Sequence, residues 1–154
     1  MVKADSVTAI TFPQDHRLDQ RSIKLVQGTV GLYFIHLTTL KIPYPFVESR
    51  LIYIGMSESR HNSIGRRLRA HLTGQSGNYA IRNYAERYPA RFAYHSFQLL
   101  RNLGANNLYE VESFFLSDFL RVHGAFPICN NQSGWKIAEP TISGEIAVTW
   151  EQFA

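Results

Sequence analysis

The sequence predicts an α+β domain in which a small antiparallel β-sheet is flanked by α-helices. Three observations predict it. Two stretches, "TVGLYFIHL" (29–37) and "RLIYI" (50–54), are dense in β-branched and aromatic residues and read as strands. The segment between them, "TTLKIPYPFVES", carries two prolines that no central strand accepts, so the strands join as an antiparallel hairpin through a long loop. Further along the chain the apolar residues switch to helical spacing.

The elements follow in order. "SIGRRLRAHL" opens on Ser63, an N-cap residue, and places Ile64, Leu68 and Leu72 on one face of a helix. A second helix covers "NYAIRNYAERY" and stops at Pro89. "RFAYHSFQLL" (91–100) alternates enough for a third strand. "NNLYEVESFFLSDFLRVHG" is the longest helical pattern and ends at Gly124. The tail is turn-rich, with room for one short strand. The order ββααβα, with no linker, repeat or low-complexity tract, makes residues 1–154 a single domain.

Composition narrows the function. A net charge of +4 with aromatics at 13% favours a polyanionic partner, although a solvated basic face reads the same way. One cysteine, Cys129, permits neither an internal disulfide nor a zinc cluster and points to a reducing compartment. No apolar run has signal-peptide or membrane-spanning length, so the expected setting is cytoplasmic and away from membranes.

Helical geometry then separates the charged residues. With about 100° per residue and Ile64 at zero, Leu68 falls near +40°, His71 near −20° and Arg67 near −60°. Arg67 and His71 border the apolar stripe and stack on one side, where both can reach a common anion; His71 reads equally as a packed core histidine. Arg66 and Arg69, at roughly 200° and 140°, point away. On the long helix, Val111, Phe115, Phe119 and Val122 share a face with Glu112, whereas Glu110 points elsewhere. A carboxylate on a buried face needs a cation, either a metal or an ion-pair partner such as Arg67.

"GLY" (31–33), "YIG" (53–55), a helix with Arg67 and His71, a helix with Glu112, and "PICN" ending at Asn130 together resemble the GIY-YIG nuclease family, from about Gly28 to Asn131. The resemblance implies a metal-dependent phosphodiesterase. Its site would contain Tyr33, Tyr53, Arg67, His71, Glu112 and Asn130, with Glu112 holding one Mg²⁺, or another divalent cation such as Mn²⁺. Arg67 would grip the scissile phosphate, and a tyrosine, Tyr33 ahead of Tyr53, would help deprotonate the water if the metal or Arg67 depressed its pKa. The chain departs from the pattern at Leu32 and in its spacings, with insertions at "TTLKIPYP" and "SESRHNS"; the doublet Asn130-Asn131 leaves the closing asparagine to be settled by its spacing from Pro127, which favours Asn130.

On this reading Tyr53 ends a strand and places its hydroxyl at the sheet margin, Tyr33 reaches the same margin from the paired strand, and Gly55 lets the backbone turn close to a ligand. Arg60, Arg66, Arg69, Arg82 and Arg87, with Arg91 and the interleaved Tyr79, Tyr84 and Tyr88, form a candidate nucleic-acid surface. The expected activity is endonucleolytic hydrolysis of DNA, restriction-type or structure-specific, since no zinc finger or helix-turn-helix segment accompanies the motifs. The alternatives are a noncatalytic nucleic-acid-binding module on the same fold and an RNA-directed nuclease.

Overall fold

The computed structural model describes residues 8–101, 107–130 and 146–154. Asn131 and most of the tail lie outside the described residues. The elements are β1 (Thr8–Ile10), β2 (Asp15–Arg17), α1 (Gln20–Ile23), β3 (Gly31–Leu37), β4 (Leu51–Ser57), α2 (Ile64–Thr73), α3 (Tyr79–Arg87), β5 (Ala90–Ser96), α4 (Phe97–Arg101), α5 (Leu108–His123) and β6 (Ile146–Val148), with 3₁₀ turns at Lys24–Val26 and Trp150–Phe153. Four strands form an antiparallel sheet in the order β2-β5-β3-β4, and β1 pairs with β6 in parallel. The protein is therefore α+β with a small antiparallel sheet, as the sequence predicts. Among the described residues no helix is long and apolar enough to cross a membrane.

β3 is a central strand with every residue buried, which its unbroken apolar run anticipates. Its register sets Tyr33 opposite Gly55 on β4 and opposite Tyr94 on β5. The helices begin and end where their caps stand. Ser63, Asn78 and Asn107 accept backbone N–H groups at the starts of α2, α3 and α5, and left-handed Gly74 and Gly124 close α2 and α5.

The strand predicted over 91–100 stops at Ser96. Ser96 pairs with Gly31, the first residue of β3; beyond it Phe97 N–H still donates to the Val30 carbonyl at 3.0 Å, and the chain then turns into α4 at Phe97–Arg101. β2 has a polar sequence, "DHR", with no strand signature. It is drawn to β5 by Asp15, whose carboxylate meets Arg91 Nε at 3.0 Å and His36 Nε2 at 3.2 Å. Arg91 is thereby ion-paired with Asp15, its side chain still a third exposed.

One sheet face carries Phe34, which meets Phe115 of α5 edge-to-face at 5.2 Å; Phe12, Phe119 and Trp150 complete this aromatic core. The other face carries Tyr33, which meets His71 of α2. β4 is an edge strand, and the segment after α5 covers that edge. Cys129 N–H donates to the Ile52 carbonyl at 2.8 Å, and the Asn130 side chain both accepts from Ile54 N–H and donates to Ile54 C=O, each at 2.8 Å. An amide that mimics a strand partner satisfies the edge without recruiting another chain.

Asn130→Ala would leave both buried Ile54 groups unpaired, and we expect a loss of about 2–3 kcal/mol in chemical denaturation. Asn83→Ala on the exposed face of α3 should change stability by less than about 0.5 kcal/mol. Equal stability of the two variants would show that the edge clamp contributes nothing.

Candidate active site

The site grows from the one position in β4 without a side chain. A Cβ on Gly55 would lie 2.5 Å from Tyr33 Cζ, 2.6 Å from its hydroxyl and 2.7 Å from Tyr53 Cε2. Gly55 thus makes room for two phenol rings. It does not turn the chain, which corrects the expectation from sequence: β4 runs straight through to Ser57. Gly31, the other motif glycine, is needed where a Cβ would strike the backbone carbonyl of His95.

The Tyr33 ring crosses Gly55 and delivers its hydroxyl to α2. There the hydroxyl accepts from Arg67 Nε at 3.2 Å and is hydrogen-bonded to His71 Nε2 at 2.9 Å. Tyr53 completes an aromatic triangle, its ring centroid 6.0 Å from Tyr33 and 5.1 Å from His71. The four-residue step from Arg67 to His71 that the helical angles single out therefore converges on one phenol. Tyr33 does not reach a sheet margin: it lies on the central strand with no exposed surface, and Tyr53 on the edge strand is the phenol that reaches solvent.

Burial governs the charges here. It pushes the Tyr33 phenol far above the ordinary range, helped by neighbouring Tyr53, and Arg67 pulls the other way without offsetting it. Burial, against a smaller pull from Arg67, also raises Tyr53. Burial and then the Arg67 charge push His71 down to about 4, so its imidazole is neutral at neutral pH. The other ring nitrogen, Nδ1, is hydrogen-bonded to Ser76 Oγ at 2.8 Å, and Ser76 Oγ also accepts from Asn78 N–H at 3.1 Å. Asn78 in turn donates from Nδ2 to the Cys129 carbonyl, 2.9 Å away, beside the clamp on β4.

Glu112 approaches from α5. It is mostly buried and has no Lys, Arg or His within ion-pair distance among the described residues, which removes the Arg67 ion pair as its explanation. Burial pushes its carboxyl up to about 7, Arg67 drawing it down and Glu58 raising it further. No three His, Cys, Asp or Glu side chains cluster as metal ligands among the described residues, so Glu112 would be the main protein contribution to any cation.

The remaining candidates separate. Asn130 hydrogen-bonds the backbone of Ile54, the residue after Tyr53. Arg67 and His71 line a cavity of about 190 Å³ with Asn62, Arg66 and Ser76. Arg60, Arg66 and Arg69 line an adjoining one of about 470 Å³. Arg82 and Arg87 lie on α3, and Arg82 is paired with Glu86 at 3.0 Å. Sequence reasoning missed Ser76, Asn78 and Glu58. The two glycines around Ser76, "GQSGN", were the available signal of a tight loop beside α2. Comparison with models of protein families, with curated proteins and with solved structures finds no match to this chain.

The Glu112 shift has a checkable sign. Its carboxyl is raised in the folded state, so the folded protein holds a proton that the unfolded chain releases near pH 4.5; stability falls as pH climbs from there to about 7. His71 works oppositely, gaining stability as pH rises from about 4 to 6.5. The difference between wild type and Glu112→Gln isolates the carboxylate. We expect the variant to gain on wild type by up to about 3 kcal/mol between pH 4.5 and 8, read by denaturation at each pH. A constant difference would mean that Glu112 is not desolvated.

Proposed function

We propose that the protein is a metal-dependent nuclease of the GIY-YIG type, hydrolysing phosphodiester bonds of nucleic acid. One observation carries the reading: Tyr33, Arg67 and His71 share a single hydrogen-bonded centre at a basic cavity, with the carboxylate of Glu112, which has no ion-pair partner among the described residues, within electrostatic range of Arg67 and Tyr53. Such a set suits a reaction that must grip an anion, orient a water and stabilise growing negative charge.

Arg67 is the phosphate-binding group. Its Nε donates to Tyr33 and its guanidinium also engages the Tyr53 hydroxyl, which fixes its plane and leaves its remaining N–H groups to donate to phosphoryl oxygens. Tyr33 is the brace: with its phenol kept protonated by burial, it holds Arg67 and His71 and does not itself take a proton from water. That moves water orientation to Tyr53, the phenol with solvent access, with neutral His71 beside it. The residues present fit a divalent cation, because Glu112 is a desolvated carboxylate with no ion-pair partner among the described residues. When bound, Mg²⁺ or Mn²⁺ would neutralise phosphoryl charge and lower the pKa of a coordinated water.

The decisive test is cleavage of supercoiled DNA, and of an RNA of matched length, with and without Mg²⁺. Glu112→Gln should abolish cleavage while binding stays within a few-fold, and Glu110→Gln should cut like wild type. Arg67→Lys should cut roughly 10²-fold more slowly or worse, because an ammonium does not reproduce the fork. At pH 8, added Mg²⁺ should raise the thermal midpoint of wild type and leave that of Glu112→Gln unmoved. Binding without cleavage in every condition would favour the noncatalytic module.

Tyr33→Phe and Tyr53→Phe test the two phenols. Each should change stability by about 1 kcal/mol, the worth of one hydrogen bond, and each should slow cleavage severely. Neither substitution should alter how the rate varies with pH, because burial keeps both phenols protonated. A changed pH profile in Tyr33→Phe instead would return water activation to Tyr33.

A further inference from the structure

Three cavities abut along the site. The one holding Arg67 and His71 shares Arg66 and Ala70 with the cavity of Arg60 and Arg69, and shares Ser76 with a third, of about 440 Å³, whose walls include Asn78, Tyr79, Ile128 and Cys129. The two flanking arms differ chemically. The first presents three guanidiniums with His61 and Gln27; Arg60, Arg66 and Arg69 are exposed and make no ion pair among the described residues. The other presents an exposed aromatic ring and an exposed aliphatic side chain, Tyr79 at 62% and Ile128 at 48% of their full surface. Among the described residues no Asp or Glu lines any of the three.

We propose that this run of cavities is the track of one unpaired nucleic-acid strand, held by its phosphates at Arg60, Arg66 and Arg69 and by a base between Tyr79 and Ile128, with the phosphate at Arg67 between them. The inference rests on the nuclease reading and names its substrate class: single-stranded or locally unpaired nucleic acid. A charged arm tracks the backbone irrespective of sequence, and a bare ring next to an aliphatic wall is a platform for a base face that a duplex keeps stacked within itself. Ser76 stands at the junction of the base arm and the centre, and Arg66 at the junction of the phosphate arm, so α2 and the loop after it form the floor of the track. Arg82 and Arg87 lie outside it.

The test is binding of a fluorescent single-stranded oligonucleotide and of the matching blunt duplex, in EDTA so that no turnover occurs, across a salt series. For the single strand, the combined R60Q/R66Q/R69Q variant should lower the slope of log affinity against log salt by about 2, as expected for three lost phosphate contacts. Tyr79→Ala should bind roughly five- to hundred-fold more weakly with the slope unchanged, because stacking releases no counterions. Arg121→Gln, paired with Asp118 on α5, should behave as wild type. An unchanged slope in the arginine variant, unchanged affinity in Tyr79→Ala, or tighter binding of the duplex would overturn the track. Since no cleavage is read, a protein that binds in this way but never cuts with Mg²⁺ keeps the track and loses the nuclease reading. One that cuts duplex DNA with the arginine variant unaffected does the reverse.

Discussion

The steric opening at Gly55 is what the site depends on. A methyl group there would sit within 2.6 Å of the Tyr33 hydroxyl and would force the ring off β4. Without that ring position neither Arg67 nor His71 has its partner, and α2 loses the polar contacts that tie it to the sheet. The helix is held from its other side by the same device. A Cβ at Gly65 would lie 3.0 Å from the Ile23 carbonyl and from Gln27 N, so α2 beds directly on the turn before β3. Two missing side chains, one in a strand and one in a helix, set the helix height over the sheet.

From Tyr33 a chain of hydrogen bonds returns to the strand on which its ring rests. It runs through His71 to Ser76, from Ser76 to Asn78, from Asn78 to the Cys129 carbonyl, and through Cys129 and Asn130 onto Ile52 and Ile54 of β4. Tyr53 lies between those two clamped residues. The edge strand, the loop after α2 and the segment after α5 are therefore one closed circuit, in which each buried polar group finds a partner. A circuit of this kind resists small displacements of any single member, which is the property a site needs to hold a guanidinium and a phenol at fixed separation.

What was legible in the sequence was what depends on local pattern. α2, α3 and α5 follow from their caps and apolar spacing, and the angular positions of Arg67, His71 and Glu112 follow from helix geometry alone. β1 and β2 were not legible, because three-residue strands owe their existence to partners far away in sequence, whereas the short strand expected in the tail is β6; β2 is held by an Asp15 interaction with Arg91 that no window around "DHR" contains. The depth of Tyr33 escaped for a related reason. Alternation assigns a strand residue to a face but does not reveal whether a helix covers it. Ser76 escaped because a loop hydroxyl acquires its role only when the loop has folded back onto His71.

The charges at the centre follow from the same burial that makes the circuit rigid. Desolvation acts on every titratable group there, but its sign depends on the charged form: it keeps the phenols protonated, strips the proton from His71 and returns one to Glu112. Between about pH 4 and pH 7 the cluster of Tyr33, Tyr53, Arg67, His71 and Glu112 therefore carries one net positive charge, that of Arg67. Above that range Glu112 ionises and the charge falls towards zero. On the proposed reading an incoming phosphate would meet the guanidinium in a site that has suppressed its other charges, where the interaction is screened least. A divalent cation would be favoured in the opposite sense, as the proton leaves Glu112. Anion and cation would thus draw on different groups of one desolvated centre, and binding either one would lower the electrostatic cost of the other.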